Sequence, residues 1–116
     1  MNNYENLKIW EKAMNLVEEV YSVIKLMPEE EKYGLVSQIK RCSISIPSNI
    51  AEGAGRNSKK EFKHFLSIAN GSTCELETQI LLSGRLKFIK NEQVKNILNL
   101  CDEVKKMNFS LQRSLT

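Results

Sequence analysis

Residues 38–55, QIKRCSISIPSNIAEGAG, decide how this chain folds. Ile39, Cys42, Ile46 and Ile50 recur at spacings of three and four, the period of one helical face, and Leu35 extends the stripe backward. Pro47 falls inside that stripe. There a proline removes the hydrogen bond to the Ser43 carbonyl and crowds the preceding turn, at about 3 kcal/mol. The alternation Cys42-Ser43-Ile44-Ser45-Ile46 also fits a short strand. Nothing else in the chain is suited to pair with such a strand. A proline-kinked helix is therefore expected, with Ser43 or Ser45 helping to satisfy the freed backbone. Gly53, Gly55 and Asn57 end it, just before a basic run.

Outward from this segment the same period recurs three times. Residues 6–27 read as a first helix, with Asn6 placed to cap it. Its inward face is expected to hold Trp10, Ala13, Met14, Val17, Tyr21 and Ile24. Ile9, Leu16, Val20, Val23 and Met27 form a second stripe beside it, so that the apolar arc spans roughly 180°. Met27-Pro28-Glu29-Glu30-Glu31 reads as a turn and restart, its carboxylates suited to the positive end of the next helix. Ser58-Lys59-Lys60-Glu61 matches a capping box. It opens a third helix with Phe62, Phe65, Leu66, Ala69, Thr73, Leu76 and Ile80 inward. Gly71 costs that helix about 1 kcal/mol, which a closely approaching neighbour is expected to offset. Residues 84–90 close it, and Asn91 is placed to cap a fourth. There Val94, Ile97, Leu98, Cys101, Val104, Leu111 and Leu115 run inward, with Leu100 and Met107 widening the arc to about 180°. Four helices of about 20–28 residues on short turns lie antiparallel to their neighbours. The expected fold is all-α: one domain, residues 1–116, an antiparallel up-down-up-down four-helix bundle. The wide arcs on helices 1 and 4 would leave a large exposed patch in an isolated chain, which argues for self-association.

Composition sets broad limits. The chain has 116 residues, 41% hydrophobic and 27% charged, with a net charge of +3. That charge is modest, but it is concentrated after residue 57. Cys42, Cys74 and Cys101 are odd in number and lie in helical apolar patterns, which fits reduced, buried thiols in a cytoplasmic protein. No apolar run approaches the roughly 18 residues of a membrane span, and the start, MNNYENLKIW, lacks a signal-peptide layout.

Two constellations stand out. Gln38, Arg41, Ser45, Asn49 and Glu52, spaced 3, 4, 4 and 3, form a polar ridge beside the apolar stripe of helix 2. An antiparallel helix 3 sets Arg41 level with Glu75 and Glu77, so a buried Arg41–carboxylate pair is expected across that seam, with Asn49 and Glu52 bonding near the turn. The second constellation is basic. Arg56, Lys59, Lys60, Lys63 and His64 cluster at the turn between helices 2 and 3, and Lys8 and Arg113 lie at the same end of an up-down bundle. Repeated around a ring of copies, such a cluster attracts phosphate backbones. The aromatics within this run, Phe62 and Phe65, are read as inward, so base stacking is not suggested.

Catalysis is not expected. Glu61-x-x-His64 is half of a di-iron ligand set, but His64 is the only histidine, so neither that set nor a Ser-His-Asp or Cys-His arrangement is complete. Lone cysteines without local partners do not suit zinc, and Gly53-Ala54-Gly55-Arg56 lacks the phosphate-loop pattern. No metal or cofactor is expected.

Taken together, Trp10-x-x-Ala13, Pro28-x-x-Glu31-x-Tyr33-Gly34-Leu35, Gln38-Ile39-x-Arg41, Ser45-Ile46-Pro47-Ser48-Asn49-Ile50-Ala51-Glu52-Gly53, Phe62-x-x-Phe65-Leu66, Ala69-x-Gly71-Ser72 and Glu75-Leu76-Glu77-Thr78-Gln79 resemble a known family. It is the four-helix-bundle proteins encoded in intervening sequences of bacterial 23S ribosomal RNA genes, sometimes labelled ribosomal proteins. The resemblance covers residues 4–90; the last helix matches by length and pattern alone. It implies a bundle with a proline-kinked second helix, assembled as a ring-like homopentamer. The family is also similar to the accessory variability protein of diversity-generating retroelements, a basic pentamer that binds nucleic acid and a reverse transcriptase. The expected function is that of a non-enzymatic, self-associating bundle that binds RNA or DNA through its basic end. A protein-interaction scaffold without a nucleic-acid partner is the alternative.

Overall fold

The computed structural model describes residues 3–116. Four helices form: α1 (Lys8–Ile24), α2 (Leu35–Ala54), α3 (Lys59–Arg85) and α4 (Asn91–Ser114), with short 3-10 turns at Tyr4–Asn6 and Glu29–Glu31. The 27 residues of α3 span about 40 Å at 1.5 Å each, and they set the long dimension of a body measuring 43 × 24 × 20 Å. Each helix packs on its neighbours in the chain, and α4 closes on α1. Contacts run in opposite residue order across the α2–α3 and α3–α4 seams. Cys42 meets Gln79 and Gly53 meets Phe62 between α2 and α3, while Glu77 meets Lys105 and Gly84 meets Val94 between α3 and α4. Lys12 pairs with Glu103 between α1 and α4. The arrangement is up-down-up-down. No helix among the described residues is long and apolar enough to cross a membrane.

The central segment folds as its period implies. Ile39, Ile46 and Ile50 are completely buried and Cys42 nearly so. The helix runs on through Pro47, which is buried among the core-facing residues of α2. The serines act differently from expectation. Ser43 Oγ donates to the Lys40 carbonyl at 3.1 Å, and Ser45 Oγ contacts the Cys42 carbonyl at 3.1 Å. Neither reaches the Ser43 carbonyl that Pro47 leaves without its helical partner, because a serine hydroxyl folds back three residues, not onto its own turn. The Asn49 amide donates to the Ser45 carbonyl at 2.7 Å, and the Ser45 and Ser72 hydroxyls bond to each other across the α2–α3 seam.

The second helix is not restarted by the Pro28–Glu31 run: a 3-10 turn forms at Glu29–Glu31 and α2 begins at Leu35. Other helix ends are closer to their expected places, with changes in which side chain caps them. Ser58 Oγ accepts from the Glu61 amide at 3.1 Å, as the capping box requires, and Glu61 returns to the Ser58 hydroxyl rather than its backbone. Helix α1 starts two residues later than expected, with Leu7, not Asn6, at its N-cap. Lys90 takes the N-cap of α4 in place of Asn91, and the Gln93 side chain accepts from the Lys90 amide at 2.9 Å. Of the acidic run, Glu31 accepts from the Leu35 amide at 3.2 Å and so serves the positive end of α2.

Face assignments need three corrections. On α1 it is Ile9, Leu16, Val20 and Val23 that enter the core, with Ala13 and Ile24; Trp10, Met14, Val17 and Tyr21 are only half-buried. The two stripes are adjacent and equally apolar, so only the packing of α2 and α4 decides which points inward. On α4, Asn108 is buried at 1% exposure, donating to the Leu66 carbonyl at 2.8 Å while accepting from Gln112 at 2.6 Å. Helix 3, finally, has no neighbour at Gly71: a side chain there would meet nothing within 4 Å. Close approach is found instead at Gly53, where a Cβ would lie 2.7 Å from Phe65 Cβ, and at Gly84, 2.7 Å from Val94 Cγ2.

Candidate nucleic-acid interface

The α2–α3 turn places α3 and α1 N-termini and α2 and α4 C-termini at one end of the bundle, and the sequence-expected cations follow. Lys8 is exposed at the start of α1, in a groove whose other wall is Met107, Ser110 and Leu111 of α4. Lys59 and Lys60 are exposed on the first turn of α3. Lys63, one turn on, is half-buried and shares a cleft of about 410 Å³ with Phe109, Gln112, Arg113 and Thr116. The last turns of α4 thus lie between Lys8 on one side and Lys63 on the other. Among the described residues none of Lys8, Lys59, Lys60, Lys63 or Arg113 has a carboxylate within 4.0 Å.

Arg56 belongs to the turn rather than to this group. Its guanidinium pairs with Glu52 at 2.7 Å and Glu61 at 3.6 Å and sits 4.8 Å from the centroid of the Phe65 ring. Its charge is already matched, and its role is to hold the end of α2 on the start of α3. His64 is exposed, edge-on to Phe65, and the partners of Glu61 are Ser58 and Arg56. Among the described residues no group of three or more His, Cys, Asp or Glu side chains is arranged to hold a metal.

The polar ridge of α2 divides. Ser45 and Asn49 are half-buried and bonded as described, Glu52 serves Arg56, and Gln38 and Arg41 are exposed. The expected Arg41–carboxylate pair does not form. Glu77 takes Lys105 at 2.9 Å on the α4 side, and Glu75 accepts from Gln79 at 3.2 Å. The register was right but the angle was not: Cys42 occupies the seam, bonded to Gln79 Oε1 at 3.1 Å, and Arg41 is rotated about 100° away from it.

The opposite end carries cations that the sequence reading passed over: Arg85 at the end of α3, and Lys87 and Lys90 in the α3–α4 connection, these two lining a second cleft beside Leu26 and Phe88. There the α1–α2 connection brings Glu29, Glu30 and Glu31 to the same end of the bundle, as Glu5, Glu52 and Glu61 stand at the α2–α3 end.

The exposed apolar surface is also placed differently from expectation. The large exposed hydrophobic side chains include none on α1 and only Phe109 on α4. Instead Ile68, Leu81 and Leu82 on α3, and Leu86 just past it, are each at least 40% exposed. The wide arcs of α1 and α4 are half-covered within the chain.

Of the three thiols, Cys42 and Cys101 are buried and Cys74 is exposed, an exception to the expectation that all are buried. Burial, reinforced by Glu75, pushes Cys42 from 9.0 up to about 12; burial, reinforced by Glu77, does the same to Cys101. Iodoacetamide at pH 8 is expected to spare Cys42 and Cys101 in the native protein and to modify all three thiols in urea, as read by mass spectrometry. Between pH 9 and 12 the folded chain keeps protons on Cys42 and Cys101 that the unfolded chain loses. Stability therefore falls as pH rises through that window, and the urea midpoint at pH 10 should lie below that at pH 8.

A family model described as 23S rRNA-intervening sequence protein matches residues 5–110. No curated protein matches the chain. Among solved structures, the chain is similar to the crystal structure of a protein of unknown function from the S23 ribosomal protein family of Bacteroides thetaiotaomicron VPI-5482. The two share 28% identity and a TM-score of 0.83, over 90% of this chain and 97% of that one. The family match runs to residue 110, through most of α4, beyond the residues 4–90 that carry the sequence motifs.

Proposed function

The chain belongs to the 23S rRNA-intervening sequence protein family, and on that premise we propose a non-enzymatic, self-associating bundle that works in the cytoplasm and binds the phosphate backbone of RNA or DNA through its α2–α3 end. The observation that carries this reading is the group of five cations at the α2–α3 end that, among the described residues, have no carboxylate within 4.0 Å: Lys8, Lys59, Lys60, Lys63 and Arg113. One such group binds a polyanion weakly. Repeated on several copies that face the same way, it produces a field of the strength that backbone recognition uses.

The outer face of α3 supports the self-association. Ile68, Gly71, Thr78, Leu82 and Arg85 share this face, and Leu81 lies beside it. Its apolar members are exposed, and the glycine has open space around it. An exposed mid-helix glycine costs about 1 kcal/mol, and within one chain nothing offsets it; a helix of a second copy laid across it would. Gly71→Arg is expected to leave the far-UV circular dichroism unchanged and to lower the solution mass toward 13.3 kDa. An unchanged mass would remove α3 as the contact.

Titrating a labelled, structured RNA at about 50 and 200 mM salt tests the binding itself. Binding through five phosphate contacts per copy loses about a hundredfold or more in affinity between those two conditions. An affinity that ignores salt, or no binding at all, would favour a protein-interaction scaffold.

A further inference from the structure

Helix α4 turns one aromatic ring out of the bundle at the basic end. Phe109 is 64% exposed, although burying a phenylalanine side chain is worth about 1.5–3 kcal/mol. It borders the cleft of about 410 Å³ that also contains Lys63, Gln112 and Arg113, a size in the range of small-ligand pockets, about 300–1,000 Å³. The Arg113 guanidinium lies 5.6 Å from the ring centroid and leaves most of the ring open. The floor is held in place: buried Asn108 anchors on the Leu66 carbonyl and accepts from Gln112, whose Oε1 lies 3.5 Å from Ser67 Oγ. Gln112 keeps a second amide hydrogen for a ligand. The cleft thus offers one stacking face, two cations and a fixed amide. The negative end of α4 opposes an anion here with about half a charge, which two full cations outweigh.

We propose that this cleft is a subsite for an unpaired nucleotide, its base stacked on Phe109 and its phosphate held by Lys63 and Arg113. The inference rests on the reading of the α2–α3 end as a nucleic-acid interface and adds a strand preference to it. A duplex presents no free base face, so Phe109 serves single-stranded RNA or DNA, loops and frayed ends. Sequence inspection missed the site because Phe109 is 46 residues from Lys63, and only the antiparallel α3–α4 register brings them together.

Fluorescence anisotropy with a labelled 12-nucleotide single strand and with its duplex tests this. Phe109→Ala is expected to weaken the single strand by about 5- to 150-fold and to leave the duplex unchanged. Lys63→Ala and Arg113→Ala should each lower the single-strand salt slope by about 0.7, whereas Phe109→Ala should not alter it. If Phe109→Ala leaves single-strand affinity unchanged, or weakens both ligands equally, the stacking role is wrong while the backbone reading stands. A change in solution mass for Phe109→Ala would assign the ring to a contact between copies and overturn the subsite. Binding of neither ligand by the wild type would overturn both readings.

Discussion

Replacing Phe62 with alanine lowers the unfolding free energy by about 3–5 kcal/mol, a large part of the 5–15 kcal/mol that holds a typical domain together. Phe62 is 2% exposed and heads the large buried side chains. It sits where α2 ends and α3 begins. A Cβ on Gly53 would come within 3.1 Å of its Cδ1 and 3.3 Å of its carbonyl oxygen. Urea denaturation followed by circular dichroism measures the loss; a change below about 1 kcal/mol would show that the hairpin does not depend on this ring. Gly53→Ala probes the same junction from the other side. Alanine is the better helix former by about 1 kcal/mol, yet the added methyl meets Phe65 Cβ at 2.7 Å. A Cβ has no rotamer by which to retreat, so overpacking prevails and the net effect is a loss of about 1–3 kcal/mol.

Lys59, Lys60 and Lys63 changed together to alanine should weaken RNA binding by at least about 100-fold near 0.1 M salt and lower the salt slope by up to about 2.7 for a duplex. Each lysine is free of carboxylates within 4.0 Å, so no internal pair is broken and the fold should survive. The informative control removes charge from the other end, away from the outer face of α3. Lys87 and Lys90 to alanine should change affinity only slightly, because they stand at the end opposite the proposed interface. An equal loss per charge removed from either end would mean that net charge, not the α2–α3 end, attracts the polyanion.

The architecture was legible because it rests on local rules. The period of Ile39, Cys42, Ile46 and Ile50 and the Ser58 cap are each contained within a few residues, and each folds as read. Errors begin where a residue's role depends on the angle between two helices. Arg41 was placed at the correct height and on the wrong side of the seam. Gly71 was read as a crossing point, whereas Gly53 and Gly84, nearer the helix ends, are the residues against which neighbours press. Asn108 was not singled out in the sequence, because its buried partner is a carbonyl 42 residues away. The same holds for the interface. The lysines of α3 are visible as a run, but Phe109 joins them only through tertiary register, and Arg56 leaves them only because Glu52 and Glu61 are within its reach.

The interface was inferred from charge, and its strength depends on several copies presenting the same end. Multi-angle light scattering on the chain, diluted to micromolar concentration, tests that directly. A stable mass several times 13.3 kDa, and near five times for the ring that the family resemblance implies, is the result expected. A particle of 13.3 kDa at every concentration would contradict it, leaving the four helices in place and each basic end alone.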